Sequence, residues 1–125
     1  MPMKKELFPP RPGQVRTVPR SFAWIDHALR SSGLMQELEP GDFGLYLFLV
    51  LAADSKGLSC WRLDRMERFM PCLTRDQLWD ARDHLRQLGL ISFKPWHEGE
   101  PDGVYQVLPL AKSRTRKPRR VPVGS

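Results

Sequence analysis

The residues with chemical potential in this chain are scattered. His27, His84 and His97 stand far apart, and none accompanies a nucleophile motif. Cys60 and Cys72 have eleven residues between them, which is not the two-to-four-residue spacing of a structural zinc site. No Gly-rich phosphate loop occurs, and the acidic residues fall in helical and loop positions rather than as a working carboxylate pair. The sequence therefore predicts no enzyme, no metal site and no cofactor. Arginine, glutamine and aspartate are instead concentrated in 75–88, RDQLWDARDHLRQL. Their side chains offer hydrogen-bond donors, acceptors and both signs of charge, the means to contact a partner rather than to make or break a bond.

A helix must hold those residues, and its limits are written locally. Thr74 and Gln77 form a T-x-x-Q capping box, and Leu73 and Leu78 have the spacing of a hydrophobic staple. Gly89 is placed to take the left-handed conformation that ends a helix, with Leu90 folding back on Leu85. Within 75–88, Leu78, Ala81, Leu85 and Leu88 share one arc and face a core. The opposite side presents Arg75, Asp76, Trp79, Asp80, Asp83, Arg86 and Gln87. Just upstream, 62–70 is a second helix with Leu63, Met66 and Phe69/Met70 on one side, and Pro71 breaks the chain before the next.

The remaining elements follow from the same rules. Ser21 caps a predicted helix over 22–32 with Phe22, Ile25 and Leu29 in a stripe, ended by Gly33. Pro40 opens a helix over 40–54 that is apolar on almost all sides and is expected to be the buried central one. Residues 58–61 are a candidate short strand. After Gly89 the period changes to two, with Ile91 and Phe93 on one face of 90–94 and a second alternating run at 104–108. The turn-rich 95–103 between them makes a hairpin with a long loop. Trp61 is expected in the core, Trp96 under the hairpin, and Trp79 at the edge of the exposed helix face.

Helix, helix, short strand, helix, turn, helix, strand, loop, strand resembles a winged helix-turn-helix domain, mainly α with a small β-hairpin. The residues carrying the resemblance are LYLFLVLAADSKGLS (45–59), the 62–91 unit ending in ARDHLRQLGLI, and VYQVLPL (104–110). They are most similar to domains of bacterial and phage replisome organisers, plasmid replication initiators and mobile-element regulators. The resemblance implies that 75–88 enters the major groove of double-stranded DNA. Arg75, Trp79, Arg82 and Arg86 are then the candidates on the reading helix, with Arg62 and Arg65 reaching flanking phosphate.

Charge qualifies that picture. The net +6 is uneven. Residues 1–20, an arm with five prolines, carry +4 and include Arg16 and Arg20. Residues 111–125 carry +6 with no acid, from Lys112, Arg114, Arg116, Lys117, Arg119 and Arg120. The body, 21–110, carries nine basic and thirteen acidic residues, a net of −4. The two ends are expected to be flexible and to grip phosphate with a steep salt dependence. The 75–88 helix itself is neutral, and the wing loop sets Glu98, Glu100 and Asp102 against His97 alone. The alternative is an adaptor in a replication or transposition assembly, meeting a protein partner through the acidic wing or Trp79. A homodimer is open on either reading. The longest apolar run, 45–53, is too short for a membrane span, and no apolar run follows Lys4 and Lys5 as a secretory signal would require. A cytoplasmic, nucleoid-associated protein with reduced cysteines is expected.

Overall fold

The computed structural model describes residues 6–110. The elements, in chain order, are α1 (Ala28–Ser31), α2 (Pro40–Ala52), β1 (Leu58–Trp61), α3 (Leu63–Phe69), α4 (Arg75–Gln87), β2 (Ile91–Pro95) and β3 (Gly103–Val107). Short 3-10 turns occur at Pro12–Gln14 and Leu34–Glu37. The strands form one antiparallel sheet in the order β1-β3-β2, so the β2–β3 hairpin is a wing anchored along β1. This mainly helical architecture with a small sheet has winged helix-turn-helix topology.

The core lies where α2, α3, α4 and the hairpin meet. Leu45 and Leu49 of α2, Leu85 of α4 and Leu90 are fully enclosed, with Met66, Leu78, Ala81, Ile91 and Tyr105 around them. Both signals that bound α4 operate. The Gln77 N–H donates to Thr74 Oγ1 at 3.1 Å, and the Thr74 N–H donates to Gln77 Oε1 at 2.9 Å. At the far end Gly89 takes φ 76°, and the Leu90 N–H reaches the Leu85 carbonyl at 3.0 Å. Leu73, just before the cap, lies against Gly41 and Gly44 of α2.

A buried carboxylate fastens α2 to α4. Asp42 is only 3% exposed. It accepts from the Glu39 N–H at 2.8 Å, capping α2, and from His84 Nδ1 of α4 at 2.5 Å. The turn after α2 is held by Asp54, whose Oδ1 accepts from the Lys56 and Leu58 N–H groups at 2.8 and 2.9 Å. Those backbone donors, Leu58 foremost, pull its carboxyl below the ordinary value.

Several expectations are corrected. The helix expected over 22–32 is confined to Ala28–Ser31. Asp26 Oδ1 accepts from the Ala28 N–H at 2.8 Å, a local turn that delays the helix, and 22–26 is a strap without regular secondary structure. Phe22 and Ile25 are therefore exposed, and only Leu29 of the expected stripe is buried. A cavity of about 400 Å3 lies between this strap, α2 and the 107–110 segment. Tyr46 lines it, and burial, with Asp26 nearby, pushes its phenol up. The α2 helix is not apolar-buried all round, because no described element covers the side bearing Leu47 and Leu51, which are 50% and 66% exposed. Cys60 and Cys72 are exposed free thiols. Trp96 is exposed rather than tucked under the hairpin, and its backbone N–H closes the loop onto the Asp102 carbonyl at 3.0 Å. Trp61 is half-buried against Phe48 and Phe69, with ring centroids 4.7 and 5.6 Å away.

Candidate nucleic-acid interface

The uncovered side of α4 follows from which residues its core face uses. With Leu78, Ala81 and Leu85 buried, Asp76, Asp80, Asp83, Arg86 and Gln87 are exposed. The residues expected to read bases do not all join them. Arg75 makes a two-pronged pair with Glu67 of α3, Nε to Oε2 at 3.0 Å and Nη2 to Oε1 at 3.1 Å. The pair ties the two helices of the motif together across their turn. Each partner stabilises the charged form of the other, holding the Glu67 carboxyl below and the Arg75 guanidinium above its ordinary value. Glu67 occupies Nε and Nη2, so Arg75 keeps its Nη1 group without a partner among the described residues.

Arg82 is turned away from solvent. Its guanidinium carbon sits 4.0 Å from the Trp79 ring centroid and 4.6 Å from that of Phe93 on β2. The side chain is 15% exposed. Asp83 Oδ1 lies 3.5 Å from Arg82 Nε, yet that nitrogen has no hydrogen-bond acceptor among the described residues. The contact is charge proximity without bond geometry. Burial raises the Tyr105 phenol, and the neighbouring Arg82 cation only partly offsets this. Trp79, Arg82 and Phe93 thus form a stacked layer joining α4 to the wing, and Trp79 is half-buried within it. Periodicity alone put Trp79 on the exposed face and could not reveal a ring waiting on β2.

Arg86 is exposed and has no ion pair among the described residues. The same holds for Arg65 and Arg68 on α3 and for Arg16 and Arg20 on the arm. Arg62 pairs with Asp64 at 3.2 Å, both side chains exposed. Lys94 is a further exposed cation, on β2. The two-residue alternation of Ile91 and Phe93 already implied its outward direction. The cations Lys112, Arg114, Arg116, Lys117, Arg119 and Arg120 lie outside the described residues.

The acids of the wing are not equivalent. Glu98 and Glu100 are exposed, but Asp102 is not a free surface charge. Its Oδ1 accepts from the Leu63 N–H at 2.8 Å, so the root of the wing caps the start of α3 from 39 residues away. Sequence spacing carried no signal for that contact. Among the described residues no cluster of His, Cys, Asp or Glu is arranged to hold a metal ion, and no helix is long and apolar enough to cross a membrane. Comparison with protein-family models, curated proteins and solved structures finds no match to the chain.

Proposed function

We propose that the chain binds double-stranded DNA, as a small regulator of the bacterial or mobile-element type, with α4 in the major groove. The observation that carries this reading is the mounting of α4. It is capped at both ends, pinned to α2 by Asp42–His84, pinned to α3 by Arg75–Glu67, and left uncovered along its outer side beside a projecting hairpin. A rigidly mounted, uncovered helix is what groove reading requires, because register must be fixed before an edge is tested. Arg86 and Gln87 are the free base-edge groups, and Arg75, oriented by Glu67, offers its Nη1 side. Arg65 and Arg68, the arm arginines Arg16 and Arg20, and the cations of 112–120 neutralise phosphate. Trp79 and Arg82 act indirectly, by bracing α4 against the wing. This reading assigns the chain no catalytic step and no cofactor, and it places the protein with DNA in the cytoplasm.

The test is selection of bound duplexes from a random pool by the full chain, at two salt concentrations. A recovered motif supports the reading, and absence of any duplex binding at low salt ends it. Arg86→Ala is expected to relax base preference. Removing 112–120 is expected to weaken binding to all sequences and to flatten the salt slope by about one unit per lost phosphate contact.

A second reading has its own observation. Asp76, Asp80 and Asp83 lie on the uncovered side of α4, and Glu98 and Glu100 lie on the wing, a surface that repels phosphate. It fits an adaptor that meets a basic protein surface and holds nucleic acid through its ends. This reading expects no sequence motif, and a protein partner lost on Glu98→Ser with Glu100→Ser.

A further inference from the structure

The exposed apolar side chains of α2 are regularly spaced. Phe43, Leu47 and Leu51 recur every four residues and are 37%, 50% and 66% exposed. At 100° per residue they stay within an arc of about 80°, roughly opposite the enclosed Leu45 and Leu49. Phe48 flanks the arc, and its ring meets Phe69 at 5.7 Å, extending the patch to the 58%-exposed end of α3. No charged residue occurs from 43 to 53. Scattered single apolar residues do not explain a regular stripe, and the largest apolar patch of a protein often marks an interaction site.

We propose that this stripe seats a second copy of the chain, α2 against α2, antiparallel about a two-fold axis passing beside Leu47. The stripe is symmetric about its own middle. The axis sets Leu47 against Leu47 of the other copy, and each Phe43 against a Leu51, so one surface complements itself. The antiparallel sense places the positive end of each helix dipole beside the negative end of its mate. With no charge from 43 to 53, the two-fold brings no like charges together along that stretch. Phe43, Leu47, Leu51 and Phe69 together offer roughly 400 Å2 per copy, about half of what a standard interface buries on each side, and so supply its apolar centre. Because the stripe supplies only about half of a standard interface, a weak association is expected, with a dissociation constant of roughly micromolar order or above.

The packing of α4 uses the opposite side of α2, so association leaves the outer side of α4 uncovered in both copies. The interface does not depend on the DNA reading. If both hold, the two α4 helices are related by the same axis and the bound motif is palindromic.

The experiment is sedimentation equilibrium of the full chain across about 1–200 μM, bracketing that constant. A reversible monomer–dimer equilibrium is expected, weakened at least about 100-fold by Leu47→Glu, which buries two facing carboxylates at the axis. Leu47 is half exposed in the single chain, so this variant should keep its circular dichroism. With Cys60→Ser and Cys72→Ser to remove the native thiols, Leu47→Cys should cross-link to its own mate on oxidation. A chain that stays monomeric throughout, its stripe covered by its own terminal segments or left for another protein, overturns the proposal. So does a dimer indifferent to Leu47→Glu, or a dimer in which Leu47→Cys does not cross-link.

Discussion

Asp102 separates a structural acid from a surface acid within one loop, and its removal has a calculable consequence. Its Oδ1 takes the Leu63 N–H at 2.8 Å in a part-buried setting. Asp102→Ala removes the cap of α3 and leaves that N–H without its acceptor. Loss of a cap costs about 1 kcal/mol, and stranding a partly buried donor raises this toward 2 kcal/mol. For a domain of this size the melting temperature should fall by roughly 4–15 °C. Asp102→Asn keeps an acceptor oxygen and loses only the charge beside the helix start, so about 0.3–1 kcal/mol is expected. Glu98→Ser with Glu100→Ser removes exposed charges and should lie within about 0.5 kcal/mol of the parent. Urea unfolding followed by circular dichroism, with thermal melts alongside, gives all three values. If Asp102→Ala unfolds at the same urea concentration as the Glu98/Glu100 double variant, the wing does not cap α3 and the account of the hairpin's anchorage is wrong. The ordering also governs binding experiments. A test of the acidic wing in partner recognition must spare Asp102, or a loss of fold will pass for a loss of contact.

Other perturbations probe the remaining joints. Glu67 has its pKa lowered on folding, so the unfolded chain binds more protons through the acid range. The stability it contributes is present above the ordinary value of 4.5 and is lost as pH falls through the depressed one. Glu67→Gln should therefore flatten the melting-temperature profile between about pH 6 and pH 3, and an unchanged profile would remove the Arg75 pair from the account. Asp42→Ala strands both the Glu39 N–H and the His84 Nδ1–H, and a chemical-denaturation loss of about 2–4 kcal/mol is expected, well beyond a surface change. Gly103→Ala would bring a Cβ to 2.2 Å from the Lys94 carbonyl oxygen across the β2–β3 pair, so the wing must shift. A cost of about 1–3 kcal/mol follows, and native-state amide exchange should locate it at the hairpin. Leu85→Ala in the enclosed centre of α4 should cost about 2–5 kcal/mol, and a smaller loss would mean that the core collapses into the space.

The legible part of this protein was the part whose causes lie within a few residues. Thr74 with Gln77, and Gly89 with Leu90, bound α4 because caps join neighbours in sequence, and the structure makes those bonds. The change of period after Gly89 announced the hairpin for the same reason. The first helix misread because Asp26 bonded its neighbour Ala28, a choice between two local turns that apolar spacing does not weigh. Side-chain roles on α4 were less legible than the helix itself. Periodicity gives a side chain a direction but does not say what stands in that direction. Glu67 met Arg75, and the rings of Trp79 and Phe93 enclosed Arg82.

By itself the sequence determined the helices of the central motif, their turn, the hairpin and the segregation of positive charge into the chain ends. Only the tertiary structure decided which charges are free. Asp102 reaches Leu63 across 39 positions, and Asp42 reaches His84 across 42. Bonds of that span form because packing the apolar faces of α2, α3, α4 and the hairpin brings their polar flanks together. The same packing used one side of α2 and left Phe43, Leu47 and Leu51 in solvent. A helix written as apolar on nearly every side became, once its neighbours were placed, a helix with one face covered and another still able to take a partner.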